Sequence, residues 1–112
     1  MELDYGLALV VAAERFNLAV AALDLVEPVR GRLLDAALAI QDIRLEDLKM
    51  PKAVAASFKS LHKRLKLGSP APAPATLKKT IERMSTIEAY QTANLFRHLS
   101  VEIEAAAADA LS

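Results

Sequence analysis

The chain has 112 residues, no cysteine, three glycines, five prolines and 14 basic against 14 acidic side chains, leaving no net charge. That length supports one modest hydrophobic core without metals or cross-links, and the absence of cysteine excludes disulfides, thiolate metal sites and thiol nucleophiles. The charge balance argues against a general nucleic-acid or membrane binder, and 22 alanines with 18 leucines favour helix at almost every position.

The first twenty residues, "MELDYGLALVVAAERFNLAV", lack a basic leader region. Glu14, Arg15 and Asn17 interrupt the apolar run before it could span a bilayer, so a soluble, cytoplasmic chain without membrane contact is expected. A first helix is predicted over 3–25 and closed by Glu27-Pro28, because proline suits a first helical turn and disfavours helix at the residue before it. At 100° per residue this helix carries two apolar stripes. Leu3, Leu7, Val10, Val11, Leu18 and Leu25 form one; Tyr5, Leu9, Phe16, Val20 and Leu23 form the other, nearly opposite. A helix apolar on both sides needs two covers, and a short chain supplies the second most economically by two-fold pairing with its own copy. Tyr5, Leu9, Phe16, Val20 and Leu23 are therefore the expected oligomer interface, in a homodimer.

A second helix is predicted over 29–49. Leu33, Leu34, Ala37, Leu38, Ile40, Leu45 and Leu48 fall on one side, with Asp35, Asp42 and Glu46 facing water. Gln41 and Arg44 break the pattern by projecting from the apolar side. With Glu14 of the first helix and Glu88 near the chain's end they make four candidate buried polar groups. An unpaired interior polar group costs a few kcal/mol, so such residues pair with one another, fix helix register or meet a ligand. An enzyme site would have to be assembled from these four.

Met50-Pro51 opens a third helix, running to about Leu67, with Gly68 placed to cap it. Val54, Phe58, Leu61 and Leu65 form one narrow apolar stripe, and Lys52, Lys59, Lys63 and Lys66 lie opposite. Residues 49–83 hold nine bases and one acid between more acidic flanks. Lys52, Lys59, Lys63, Lys66, Lys78 and Lys79 are the expected basic surface. It is either a solvated face that neutralises its own neighbours, or a surface for an acidic protein or a nucleic acid.

The run "SPAPAPA", residues 69–75, reads as a polyproline II connector of about 20 Å. A last helix starts near Thr76, a plausible N-cap, and reaches about Leu111, with fraying expected past Ala107. Unbroken, it would be about 54 Å long, more than one short bundle covers. The window "MSTIEAY" offers a break, since Ser85 and Glu88 fit a capping box. Leu77, Ile81, Met84, Leu95, Leu99 and Ile103 make its apolar stripe, with Glu88 and Thr92 between.

Reactive chemistry is sparse. His62 lies among lysines as a surface imidazole, and His98 four residues before Glu102 fits a helix-surface hydrogen bond better than a metal site. Gly6, Gly31 and Gly68 form no phosphate-cradling loop. No catalytic residue, metal or cofactor is assigned. The expected protein is one all-α domain over 1–112: an up-and-down bundle of about four helices, the fourth long or broken near Ser85. Its expected function is a self-associating interaction or scaffolding module without catalytic activity; the alternative is a nucleic-acid-associated regulatory accessory binding through 49–83.

Overall fold

The computed structural model describes residues 2–44, 46, 48–68 and 71–111, and the side chains of these from residue 6 onward. Five helices form around one core: α1 (Glu2–Leu23), α2 (Val29–Ile40), α3 (Lys52–Leu65), α4 (Pro74–Glu82) and α5 (Thr86–Leu111). The described residues include no strand. The expected fourth helix is thus two, and the break lies at Ser85.

Prolines set the helix starts. Pro28 and Pro51 directly precede α2 and α3 with extended backbone, and their carbonyls accept from the Arg32 and Ala55 N–H groups to close the first turns. Pro74 occupies the first turn of α4, where its missing N–H costs nothing. The helix therefore begins before Thr76, which is not its cap; Ala73 precedes it at φ −63°, ψ 150°, the polyproline II conformation. Of the expected connector, Ser69 and Pro70 lie outside the described residues.

The second helix stops at Ile40, nine residues earlier than expected. A helix continued to Lys49 would carry Asp42, Glu46 and Asp47 in its last turns, against the negative end of its dipole. Instead the Ile43 N–H turns back to the Ile40 carbonyl, and Asp42 pairs with Arg15 of α1 at 2.9 Å. The α3 C-terminus also differs from expectation. Lys66, not Gly68, takes the left-handed conformation (φ 54°, ψ 39°), and the Leu67 and Lys66 N–H groups donate to the His62 and Lys63 carbonyls, the Schellman pattern. At the other break, the Ser85 N–H donates to Glu88 Oε1 at 3.2 Å and the Glu88 N–H to Ser85 Oγ at 3.1 Å. This is the predicted capping box. The last helix is continuous to Leu111, past the expected fraying point.

Helix α1 lies between α2 and α5 and runs antiparallel to α5. Gly6 lies beside Leu111, Ser100 Oγ donates to Asn17 Oδ1 at 3.1 Å, and Arg97 pairs with Asp24 at 2.8 Å. Phe16 is the centre of the core. Its ring centroid is 5.9 Å from that of Phe58 on α3 and 6.0 Å from that of Phe96 on α5, distances at which tilted aromatic pairs attract beyond simple burial. Ala12, Ala13, Ala19, Ala36, Ala37 and Ala93 are buried around it, and their small side chains let the helices approach closely. Arginines of α2 reach two carbonyls elsewhere: Arg32 donates to the Leu23 carbonyl at 2.8 Å and Arg30 to the Met84 carbonyl at 2.7 Å. The first satisfies a carbonyl that the end of α1 leaves without a partner, and the second ties α2 to the turn between α4 and α5.

Candidate interaction faces

The two stripes of α1 have exchanged roles relative to expectation. Leu9, Phe16 and Leu23 are buried under the chain's own helices and Val20 is half-buried, while the Tyr5 side chain lies outside the described residues. Leu9, Phe16 and Leu23 are committed to the core. Of the opposite stripe Val10 packs against the core, while Leu7, Val11, Leu18 and Leu25 stay exposed: Phe16 is 0% exposed and Leu18, two residues on, is 61% exposed. Leu7, Val11 and Leu18 share that outer side at spacings of four and seven, and Leu25 continues it in the turn after the helix.

Helix α5 extends this surface. Ile87, Tyr90, Val101 and Leu111 are exposed, and the antiparallel register sets Val101 near Leu18 and Leu111 near Gly6, with Ile87 and Tyr90 beyond the end of α1. Among the described residues every large apolar side chain left exposed lies on α1, on the turn that follows it or on α5. A groove of about 320 Å³ continues the face on its other edge, where Leu7 and Val11 meet Ile43 and Leu48. The window Gly6–Leu23 of α1 is also long and apolar enough to cross a membrane.

The basic surface lies elsewhere. Phe16 reaches Phe58 across the core, so the exposed side of α3 faces away from the outer side of α1. Lys52, Lys59, Lys63, Lys66, Lys78 and Lys79 are all exposed, as expected. Arg64, Lys66 and Arg83 join the two basic helices around one shallow cavity of about 180 Å³, which Glu88 also lines. The described ion pairs are Arg15–Asp42, Arg97–Asp24 and His98–Glu102, so none neutralises α3 or α4.

The four candidate buried polar groups are not brought together. Glu14, Arg44 and Glu88 are exposed and only Gln41 is half-buried. With α2 ending at Ile40, Gln41 and Arg44 leave the helix and no longer project from an apolar face. They line a cavity of about 480 Å³ with Phe58, Lys59 and His62. Glu88 serves the capping box. Among the described residues the buried polar ones are Thr92, whose hydroxyl donates to the Glu88 carbonyl at 2.7 Å, and Ser100, which holds Asn17. Thr92 is satisfied within its own helix and Ser100 across to α1, and the low helix preference of Thr92 on an apolar stripe was the available sign.

His62 is the other departure. Its ring is stacked 4.4 Å from that of Phe58, and its Nε2 is buried without a hydrogen-bond partner. Burial holds its pKa below the usual 6.5, partly offset by the Glu46 carboxylate. His98 Nε2 lies 2.6 Å from Glu102 Oε1, the expected contact within one helix. Among the described residues no three His, Asp or Glu side chains converge as metal ligands. Comparison with known proteins adds no family: no family model, no curated protein and no solved structure matches this chain.

Proposed function

We propose that this chain is a self-associating helical interaction module, an up-and-down bundle that dimerises through the outer face of α1 and α5 and has no catalytic activity of its own. One observation carries the proposal: among the described residues the exposed large apolar side chains are gathered on α1, the turn that follows it and α5. Scattered exposed leucines need no explanation, but a contiguous patch on one side marks an interaction surface.

Area favours the use of both helices. The 22 residues of α1 span about 33 Å and a helix occupies about 10 Å of width, giving roughly 330 Å² for α1 alone. A stable interface buries about 800 Å² per partner, which α1, α5 and the adjoining groove supply together. A second copy is the favoured occupant because two-fold pairing needs one self-complementary patch. In an antiparallel α1–α1 pairing with its axis between residues 14 and 15, Val11 of each copy would meet Leu18 of the other. The cysteine-free composition suits a cytoplasmic location.

The test is sedimentation velocity across a concentration series for wild type, Leu18→Arg and Val101→Arg, with circular dichroism confirming that each variant folds. Wild type should run as a dimer and both variants as monomers. A wild type that remains monomeric at every concentration, or variants that stay dimeric, would overturn the assignment. So would sedimentation of the wild type with neutral phospholipid vesicles in place of self-association, because the same apolar face would then be a lipid contact.

A further inference from the structure

We propose that the α3–α4 face binds the phosphate backbone of double-stranded nucleic acid without reading its bases. The inference is independent of self-association, since the face lies across the core from the outer side of α1.

Three observations carry it. The first is that the cations converge although they are distant in sequence: the α3 C-terminus brings Arg64 and Lys66 to the same cavity as Arg83 at the end of α4, and Lys59, Lys63, Lys78 and Lys79 extend the surface to either side. The second is that acids compensate them only at the Lys59 end, where Asp42 and Glu46 line the same cavity. No described ion pair involves either helix, and Glu82 is the only acid on them; the carboxylate of Glu88, which borders the cavity, is held by the Ser85 N–H. Self-neutralisation therefore does not account for the end of this surface formed by Arg64, Lys66 and Arg83.

The third observation selects the partner. No large apolar side chain is exposed on α3 or α4; their stripes, Val54, Phe58, Leu61, Leu65, Leu77 and Ile81, are all buried. Protein interfaces are built around aromatic and aliphatic anchors as well as arginine and are poor in lysine, so an acidic protein would find charge and the guanidinium groups of Arg64 and Arg83 here but no apolar anchor. A single strand would find no aromatic ring to stack on. A duplex asks only for cations spaced along its charged backbone. The row from Lys52 to Lys66 is about 21 Å long, a length over which a duplex presents about 12 phosphates. Lysine supplies flexible point charges to phosphate rather than forked contacts to base edges, which fits binding without sequence preference.

The experiment is fluorescence anisotropy of the full-length chain with labelled 20-base-pair duplexes of two unrelated sequences, from low to physiological salt. The two duplexes should bind equally, with log K falling against log salt at a slope of about −4 to −5 if about five phosphates are contacted. Lys59→Glu with Lys63→Glu should weaken binding at least about tenfold and make the slope shallower by about 2. Lys66→Gly removes one cation while relieving the left-handed backbone, so its weaker binding cannot come from lost folding. Absence of binding at low salt, a salt-insensitive affinity, a strong preference for one sequence, or unchanged binding by these variants would each overturn the proposal. Equal or tighter binding to polyglutamate, to single strands or to anionic vesicles would also overturn it, and would assign the face to that partner.

Discussion

Ser85 and Glu88 cap one another: each backbone N–H is held by the other's side chain, at 3.2 and 3.1 Å, where the chain leaves α4 and enters α5. The box does more than satisfy two donors. It holds the break that lets Leu77 and Ile81 on one side, and Phe96, Leu99 and Ile103 on the other, reach one core from two helix directions. Ser85→Ala removes the acceptor for the Glu88 N–H and should cost about 1 kcal/mol, read as a lower denaturant midpoint with unchanged m-value. Ser85→Asp keeps an acceptor and should recover most of the loss. A silent Ser85→Ala would show that the break is held by packing alone.

Along α1, Phe16 and Leu18 give opposite expectations. Phe16 is fully buried between Phe58 and Phe96, so Phe16→Ala should cost about 3–5 kcal/mol through lost burial and the cavity left behind. Leu18 points outward, and Leu18→Ala should change the stability of the isolated subunit by less than about 0.5 kcal/mol. Urea unfolding at low protein concentration separates the two. Equal losses at both positions would contradict the orientation of the helix.

The two stripes of α1 were legible in the residue spacing, but which one faces inward was not. A helical wheel has no sign, and Leu7, Val11 and Leu18 are as apolar as Leu9, Val20 and Leu23. What decides is shape. Phe16 is flanked by Ala12, Ala13 and Ala19, which open space for α2 and α5 to close around a large ring, while the outer stripe is flanked by Glu14, Arg15 and Asn17. The proline-led helix starts and the Ser85 box were readable because each rests on local backbone chemistry. Gln41 and Arg44 leave the expected apolar face because α2 ends at Ile40, ahead of acids that would oppose the negative end of its dipole, and the spacing alone did not show that Asp42 meets Arg15 instead.

His62 should make stability depend on pH. Burial against Phe58 lowers its pKa in the folded chain below the 6.5 of a free imidazole, so the unfolded chain takes up the proton first as pH falls. The folded state therefore keeps its full advantage above about pH 6.5 and loses it as pH drops below that value toward the lowered one. Glu46 opposes the shift, whereas Lys59, which lines the same cavity, adds positive charge. Denaturant midpoints at pH 7.5 and 5.5 should differ more for wild type than for His62→Leu, which keeps an apolar body on Phe58 and cannot titrate. Equal pH dependence in the two proteins would mean that His62 takes its proton as readily folded as unfolded.

Lys66 presents the opposite case, a residue whose replacement should stabilise. Its φ of 54° is the only positive one among the described residues, and it closes α3 through the Schellman bonds from Lys66 and Leu67. A left-handed conformation brings Cβ against the following carbonyl and costs a non-glycine residue about 1–2 kcal/mol, whereas glycine adopts it freely but loses more entropy on folding. The balance favours Lys66→Gly by about 1 kcal/mol, a rise of roughly 4 °C in melting temperature for a chain of this size. Lys66→Ala keeps the Cβ and should gain nothing. Melting curves for the three proteins at one salt concentration decide the matter, because loss of a like charge among Lys63, Arg64 and Arg83 would stabilise both variants equally while relief of the backbone acts only in the glycine variant.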